Sequence, residues 1–507
     1  MQAAIEARAV TYRTRAGEVT VRDISLTVGH GELVAIIGGS RSGKTTLLDA
    51  MSGLHPPTSG TVLRRAHGDG RPGTGPLARQ IGYIPNRDAI DSVLPLARAL
   101  RYTATLRGIP RFREVPEGVP PGVNSDQAVA EALDSVGLAA EASVPVGALT
   151  PGGRKRAAIA AELLPRPAQL FLDEPTAGLD PAQATEVLRL LRRLSSGGMT
   201  VMLTTSSPLD AVRCDKVAVL ANGGHLAFFG TPAAARGYFG ADSLEEIYER
   251  LAGLGDPAAA WSRRFFQLPR TRAGSSQVLT TPRAPGPTVL VPDAAGPHSA
   301  GRPGAAFAGG LDGLDGLDGG ADAEEDEPSS VTSVTKEGFP DGTERGRSGG
   351  PLRPARQLPV LIRRNAEILA RARRLQAILL GVPVAVLVAF CVLLVVGALD
   401  GAAAVTLAWV VLGGLVTGLA YELPLLGIES GVLRRERFAG LSTAVFVLAK
   451  AVVLLPVLAL ADALILAVPA IAGRLQDGFG PAYLTAACAS LIGLAVTLAV
   501  PAVAARR

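Results

Sequence analysis

At 507 residues the chain is too long for one hydrophobic core and divides into two or more domains. Its net charge of +5 is modest, and the basic residues gather beside long apolar runs, which argues against a nucleic-acid-binding protein and for orientation in a membrane. Three cysteines (Cys214, Cys391, Cys488), odd in number and without metal-ligand spacing, argue against a disulfide framework or a thiolate metal site and fit a reduced compartment. Five Lys stand against 45 Arg, a skew that fits GC-rich coding better than any function. The N-terminus, Met1 to Arg8, carries no apolar signal core, so the first domain is expected to stay in the cytoplasm.

Residues 8–12 and 19–28 alternate apolar and polar, as half-buried strands do. Tyr12 is placed either to stack on an adenine ring or to serve as an ordinary strand aromatic. The apolar run Leu33 to Ile37 then leads into Gly38-Gly39-Ser40-Arg41-Ser42-Gly43-Lys44-Thr45-Thr46 and a helix over Leu47 to Ala50. Strand, glycine loop and helix together form a phosphate cradle. The glycines let backbone N–H groups converge without a side chain in the way, and the helix points its unpaired N–H groups and positive dipole end at the same anion. Lys44 is expected to reach the β- and γ-phosphates of ATP, and Thr45 to offer its hydroxyl to Mg²⁺.

Pro56 to Gly60 reads as a turn, and Gln80 to Pro85 as a strand ended by proline. Residues 126–138 and 154–164 carry helical spacing of Ala, Val and Leu. The run Gln169-Leu170-Phe171-Leu172-Asp173-Glu174-Pro175 reads as a buried parallel strand delivering two acids at its C-terminal end, where open α/β sheets hold their ligands. Asp173 is expected to hold Mg²⁺, directly or through water, and Glu174 to polarise the attacking water, so Glu174 is the catalytic candidate.

These motifs, in this order, resemble the ATP-binding cassette transporters. Leu149-Thr150-Pro151-Gly152-Gly153-Arg154-Lys155-Arg156 is similar to that family's signature loop, and Ala177-Gly178-Leu179-Asp180 to its D-loop. Asn86 stands at the place of its glutamine loop, and Val201 to Ser206 at the place of its switch strand. The basic triplet Arg154-Lys155-Arg156 and the closing Leu226 to Gly230 resemble the G subfamily of half-transporters. The resemblance implies that Thr150, Gly152, Gly153, Asp180 and Ser206 take part in ATP binding and that Asn86 touches Mg²⁺. It also implies a dimer, because the family places each ATP between one subunit's phosphate loop and the other's signature. Three departures bear on rate: Asn86 is shorter than glutamine, Pro151 removes a backbone N–H from the signature, and Ser206 replaces a histidine. ATP binding is therefore expected to be firm and hydrolysis slow.

Beyond the first domain (residues 1–250), residues 251–350 read as a linker. From about Thr271 the composition turns to Pro, Gly, Ser and Thr, with a Leu-Asp-Gly repeat over Leu311 to Gly319 and an acidic patch at Asp322 to Glu327, too polar to offset ordering entropy. A calcium-binding repeat is the alternative for the Asp/Gly units. Residues 351–375 read as a basic amphipathic helix on the cytoplasmic face, with its apolar stripe through Leu361, Ile362, Ile368, Leu369 and Leu375, similar to the G subfamily's connecting helix.

Four apolar runs follow, 377–399, 402–421, 444–472 and 482–504, each long enough to cross a bilayer. The fold class is thus an α/β P-loop NTPase domain followed by an all-α polytopic membrane domain. Arginines before the first run, between the second and third and at the chain end place both termini in the cytoplasm, in the cell membrane. Residues 429–442 then resemble the subfamily's coupling helix, with a positive-inside loop, which the arginines alone would satisfy, as the alternative. Asp462, inside the third run, is expected to face protein or water and is a candidate for the transport pathway, with Pro456 and Pro469 nearby as simple kinks. The family's permease has six helices, and what resembles the last two is absent here, through truncation, a partner subunit or decay. The function expected is that of the ATP-binding subunit of an exporter whose cargo is unknown, a hydrophobic one being compatible with the apolar runs. It would pair as a homodimer or with another half-transporter, and sit in the lipid bilayer with no nucleic-acid partner. The alternative is a membrane-anchored ATP-binding regulatory or scaffolding subunit.

Overall fold

The computed structural model describes residues 3–65, 81–86, 90–109, 124–252, 257–267, 354–397, 403–420, 432–433, 435–437, 440–473, 475 and 478–504. All of them belong to one compact unit, 1–281 with 348–507. The second unit, 282–347, and with it most of the expected linker, lies outside the described residues.

The first domain is built on a nine-stranded sheet. In chain order it contains β1 (Ala3–Arg13), β2 (Val19–Gly29), β3 (Leu33–Gly38), α1 (Lys44–Ser52), β4 (Ser59–Arg64), β5 (Ile81–Ile84), α2 (Leu96–Leu106), α3 (Ser125–Val136), α4 (Pro151–Leu163), β6 (Gln169–Leu172) and α5 (Pro181–Ser196). There follow β7 (Thr200–Thr204), α6 (Pro208–Ala211), β8 (Lys216–Ala221), β9 (His225–Gly230), α7 (Pro232–Phe239), α8 (Leu244–Ala252) and α9 (Pro257–Gln267). The strand order is β4-β1-β2-β9-β8-β3-β7-β6-β5.

Strands β3, β5, β6 and β7 are buried along their whole length, which is why they read as continuous apolar runs. Successive residues of β3 face opposite sides of the sheet: Leu33, Ala35 and Ile37 join the core under α2 to α5, and Val34 and Ile36 join the one under α1. The parallel register sets Ile36 beside Thr204 and Leu172 beside Leu203. Three chain segments therefore leave the sheet at one edge: the glycine loop after β3, the acids after β6 and the switch segment after β7.

The segment expected as a linker from residue 251 contains helical structure up to Gln267, ahead of the change in composition at about Thr271. Its proposed boundary falls inside α8, and α9 follows. Trp261 and Phe265 hold α9 to β9 and α7 by tilted and edge-on ring contacts with Phe228, Tyr238 and Phe239 at centroid distances of 4.9 to 6.2 Å. Two aromatics supply an anchoring area that an alanine-rich segment otherwise lacks.

Toward the C-terminus come α10 (Pro354–Arg371), α11 (Arg373–Val395), α12 (Ala403–Ala420), α13 (Thr443–Ile471) and α14 (Phe479–Ala504). The basic helix ends four residues earlier than its stripe implied. Ala372 leaves helical geometry (φ −79, ψ 83), so Arg373 opens the first apolar helix. Segments of α11, α13 and α14 are long and apolar enough to cross a membrane. The second apolar run forms the 18-residue α12, spanning ~27 Å and shorter than the other three.

Helices α12 and α14 meet backbone to backbone. A Cβ at Gly418 would lie 2.1 Å from the Ser490 carbonyl, so only glycine permits this crossing. Asp462 faces protein. It is 1% exposed, and Ser490 Oγ lies 2.7 Å from its Oδ1, so the carboxyl joins α13 to α14.

Candidate active site

The glycine loop takes the shape that its residues require. Gly38 has φ 152, and a Cβ there would stand 2.3 Å from the Leu220 carbonyl, so no other residue fits. Gly39, Ser40 and Arg41 form the outer turn, with Ser40 and Arg41 exposed, and Gly43 leads into α1, whose first three residues are Lys44, Thr45 and Thr46. Lys44 Nζ donates to the Gly38 and Gly39 carbonyls, each at 3.0 Å, so its ammonium lies across the mouth of the loop. Burial lowers its pKa, against the attraction of Glu174 and Asp173. Ser42 Oγ is fully buried with no hydrogen-bond partner.

The acids arrive as expected. Asp173 Oδ1 accepts from Thr45 Oγ1 at 2.9 Å and from Thr204 Oγ1 at 2.6 Å. Glu174 has φ 45, a left-handed backbone rare outside glycine, which turns its side chain out of line with Asp173. Asn86 Nδ2 donates to Glu174 Oε2 at 3.3 Å, so Asn86, expected at the metal, here holds the catalytic candidate. Lys155 Nζ in turn donates to the Asn86 carbonyl.

Phosphate fits the loop: it holds a lysine, a helix N-terminus and a buried hydroxyl with no acceptor. A hard divalent cation fits the pair Thr45 Oγ1 and Asp173 Oδ1. Among the described residues no group of three or more His, Cys, Asp or Glu gathers, so the remaining oxygen ligands would come from phosphate and water, as is usual for Mg²⁺.

The signature residues lie elsewhere in this arrangement. Thr150 caps α4, its Oγ1 accepting from Gly153 N at 3.0 Å, and Gly152 N donates to Gln183 Oε1 at 2.8 Å. Asp180 caps α5 through Gln183 N at 2.8 Å. Thr150 and Asp180 are exposed, and Ser206 is exposed just past β7. Tyr12 is half-buried and packs against the core beneath α1.

Sequence reasoning passed over Thr204, Gln183 and Glu162. A hydroxyl following the apolar run Val201 to Leu203, two residues before Ser206, was the available sign for Thr204. The other two carry no local signal.

Residues 21–177 match the family model for ABC transporters. The N-terminal domain is an ABC transporter domain. The relatives found include the ABC transporter ATP-binding/permease protein Rv1747 of Mycobacterium tuberculosis, 36% identical over 262 residues, which are 51% of this chain and 29% of that protein. ATP-binding cassette sub-family G member 5 of Homo sapiens is 35% identical over 230 residues, 43% of this chain and 33% of its own length. A solved ATP-binding subunit of an ABC transporter aligns with 49% of this chain and 100% of its own at 25% identity and a TM-score of 0.40. The chain spans about a third of the first two proteins or less.

Proposed function

We propose that the chain is the ATP-binding and membrane-embedded subunit of an ABC exporter, active as a dimer, that binds ATP firmly and hydrolyses it slowly. The observation that carries this reading is the uneven state of the site. Lys44, Thr45, Asp173 and Glu174 converge at one sheet edge, whereas the γ-phosphate switch position is an exposed serine.

Lys44 would trade its two carbonyl contacts for phosphate oxygens, and Thr45 with Asp173 would hold Mg²⁺, which when bound neutralises phosphate charge. Glu174 would orient water once Asn86 lets it go. Ser206 carries no positive charge and reaches less far than imidazole, so transition-state charge goes less well compensated. A second subunit would supply Thr150, Gly152, Gly153 and Asp180 across the nucleotide.

The membrane side docks through charge. Arg107 Nη2 meets Glu162 Oε1 at 2.6 Å, Arg435 Nε lies 3.8 Å from the same oxygen, and Arg435 Nη2 pairs with Glu436 Oε1 at 2.5 Å. From α10, Glu367 accepts from Arg98 at 3.0 Å and from Tyr102 at 2.8 Å on α2. Glu162 Oε2 also accepts from Tyr83 N at 3.4 Å, on the strand that leads to Asn86. Polar and ionic contacts thus run from Arg435 through Glu162 to Tyr83 N, three residues before Asn86, which supports a coupling role for 429–442. Of that segment, 429–431, 434 and 438–439 lie outside the described residues.

Phosphate release from the purified full chain in lipid is expected below about 1 s⁻¹, under the ordinary enzyme range, and Ser206→His is expected to raise it at least about tenfold. Wild-type turnover above that rate would overturn slow hydrolysis. Firm ATP binding with no turnover in either protein would favour the regulatory subunit instead.

A further inference from the structure

We propose that Thr204 is a positioning residue that fixes both acids of the site through one hydroxyl. This rests on the ATP-binding reading above. Thr204 Oγ1 has one proton and two lone pairs. The proton goes to Asp173 Oδ1 at 2.6 Å, and a lone pair accepts the Glu174 N–H at 2.9 Å. The side chain is fully buried, and the β6–β7 register that pairs Leu172 with Leu203 brings the acids alongside it. Neither bond duplicates another. Thr45 shares Asp173 Oδ1 only until its hydroxyl turns to a metal ion, after which Thr204 remains as the donor on that oxygen. The Glu174 amide belongs to a residue held in left-handed geometry, and its bond to Thr204 is a tie from the sheet that keeps it there. Thr205, just past β7, serves a separate carboxylate, donating to Asp210 Oδ2 at 2.9 Å, so the two neighbouring threonines have distinct charges in their care.

The test compares full-length wild type with Thr204→Val, which keeps the shape and removes the hydroxyl, and Thr204→Ser, which keeps the hydroxyl. A fluorescent ATP analogue is titrated in EDTA and then against Mg²⁺, and single-turnover hydrolysis is followed separately. Thr204→Val is expected to leave affinity in EDTA within about twofold, to raise the half-saturating Mg²⁺ concentration about tenfold and to slow single turnover about 10- to 100-fold. Thr204→Ser is expected to restore both. Unchanged Mg²⁺ dependence in Thr204→Val, or failure of Thr204→Ser to restore it, would overturn the proposal. Should Thr204→Val not yield folded protein, Thr204→Ala carries the same comparison. Loss of binding by the wild type itself would instead defeat the ATP-binding reading. Fast wild-type turnover would defeat only slow hydrolysis and leave the Mg²⁺ titration readable.

Discussion

Replacing Lys44 with alanine is expected to weaken ATP binding by about 10- to 150-fold, the equivalent of the 1.5–3 kcal/mol carried by a hydrogen bond to a charged group. The ammonium already lies at the loop mouth, 3.0 Å from two backbone carbonyls that hold it for phosphate, and its substitution removes the loop's cation without disturbing a core contact. Titration of a fluorescent ATP analogue in EDTA reads this effect free of the metal. An affinity unchanged from wild type would mean that the loop is not the nucleotide site, and the function proposed here would fall with it.

Arg435→Ala is expected to destabilise the attachment of the membrane helices by about 3–5 kcal/mol, because it leaves the buried Glu436 carboxylate without its paired cation, whereas Glu162 keeps Arg107. Glu436 is 1% exposed and Glu162 2%, with Arg435 at 6%. By contrast, the Arg8–Glu6 pair on β1, with an arginine side chain 62% exposed, is screened by water and worth almost nothing. The measurement is the thermal midpoint of the full chain in lipid, expected to fall by at least about 5 °C. A midpoint within a degree of wild type would show that the cluster does not hold the two parts together. Arg435→Lys, keeping the charge but not the fork, should fall between.

The same cluster sets an acid limit. Burial alone would raise the Glu436 pKa, but Arg435, Arg364 and Arg107 more than offset it, so the group sits below its ordinary value of 4.5. A depressed carboxylate contributes stability that is complete above the unfolded value and is lost as pH falls through the folded one. Attachment is therefore expected to hold through neutral pH and to weaken only below about pH 4.5, as a pH series of thermal midpoints would reveal. Weakening between pH 6 and 8 would assign the transition to another group.

Local chemistry explains which features were legible. The phosphate loop announces itself because each of its residues answers a local demand: glycine where a Cβ would strike the Leu220 carbonyl, lysine and threonine where a helix begins. The acidic strand was legible only beside that loop, since a short apolar run ending in Asp173 and Glu174 says little by itself. The change of composition at about Thr271 falls after α9, whose two aromatics tie an alanine-rich helix to the first domain. The apolar stripe carried the basic helix past Ala372, where the break is a backbone event that side-chain periodicity does not register.

The amino-acid sequence by itself determined the domain order, the nucleotide loop, the acids and the apolar runs, all of which depend on contacts between near neighbours in the chain. Only the tertiary structure decided that Asn86 holds Glu174, that Thr204 ties both acids and that Glu162 answers Arg435. Each of those partnerships joins residues from 30 to more than 250 positions apart, and strand register and helix docking, which no local pattern encodes, bring them within reach.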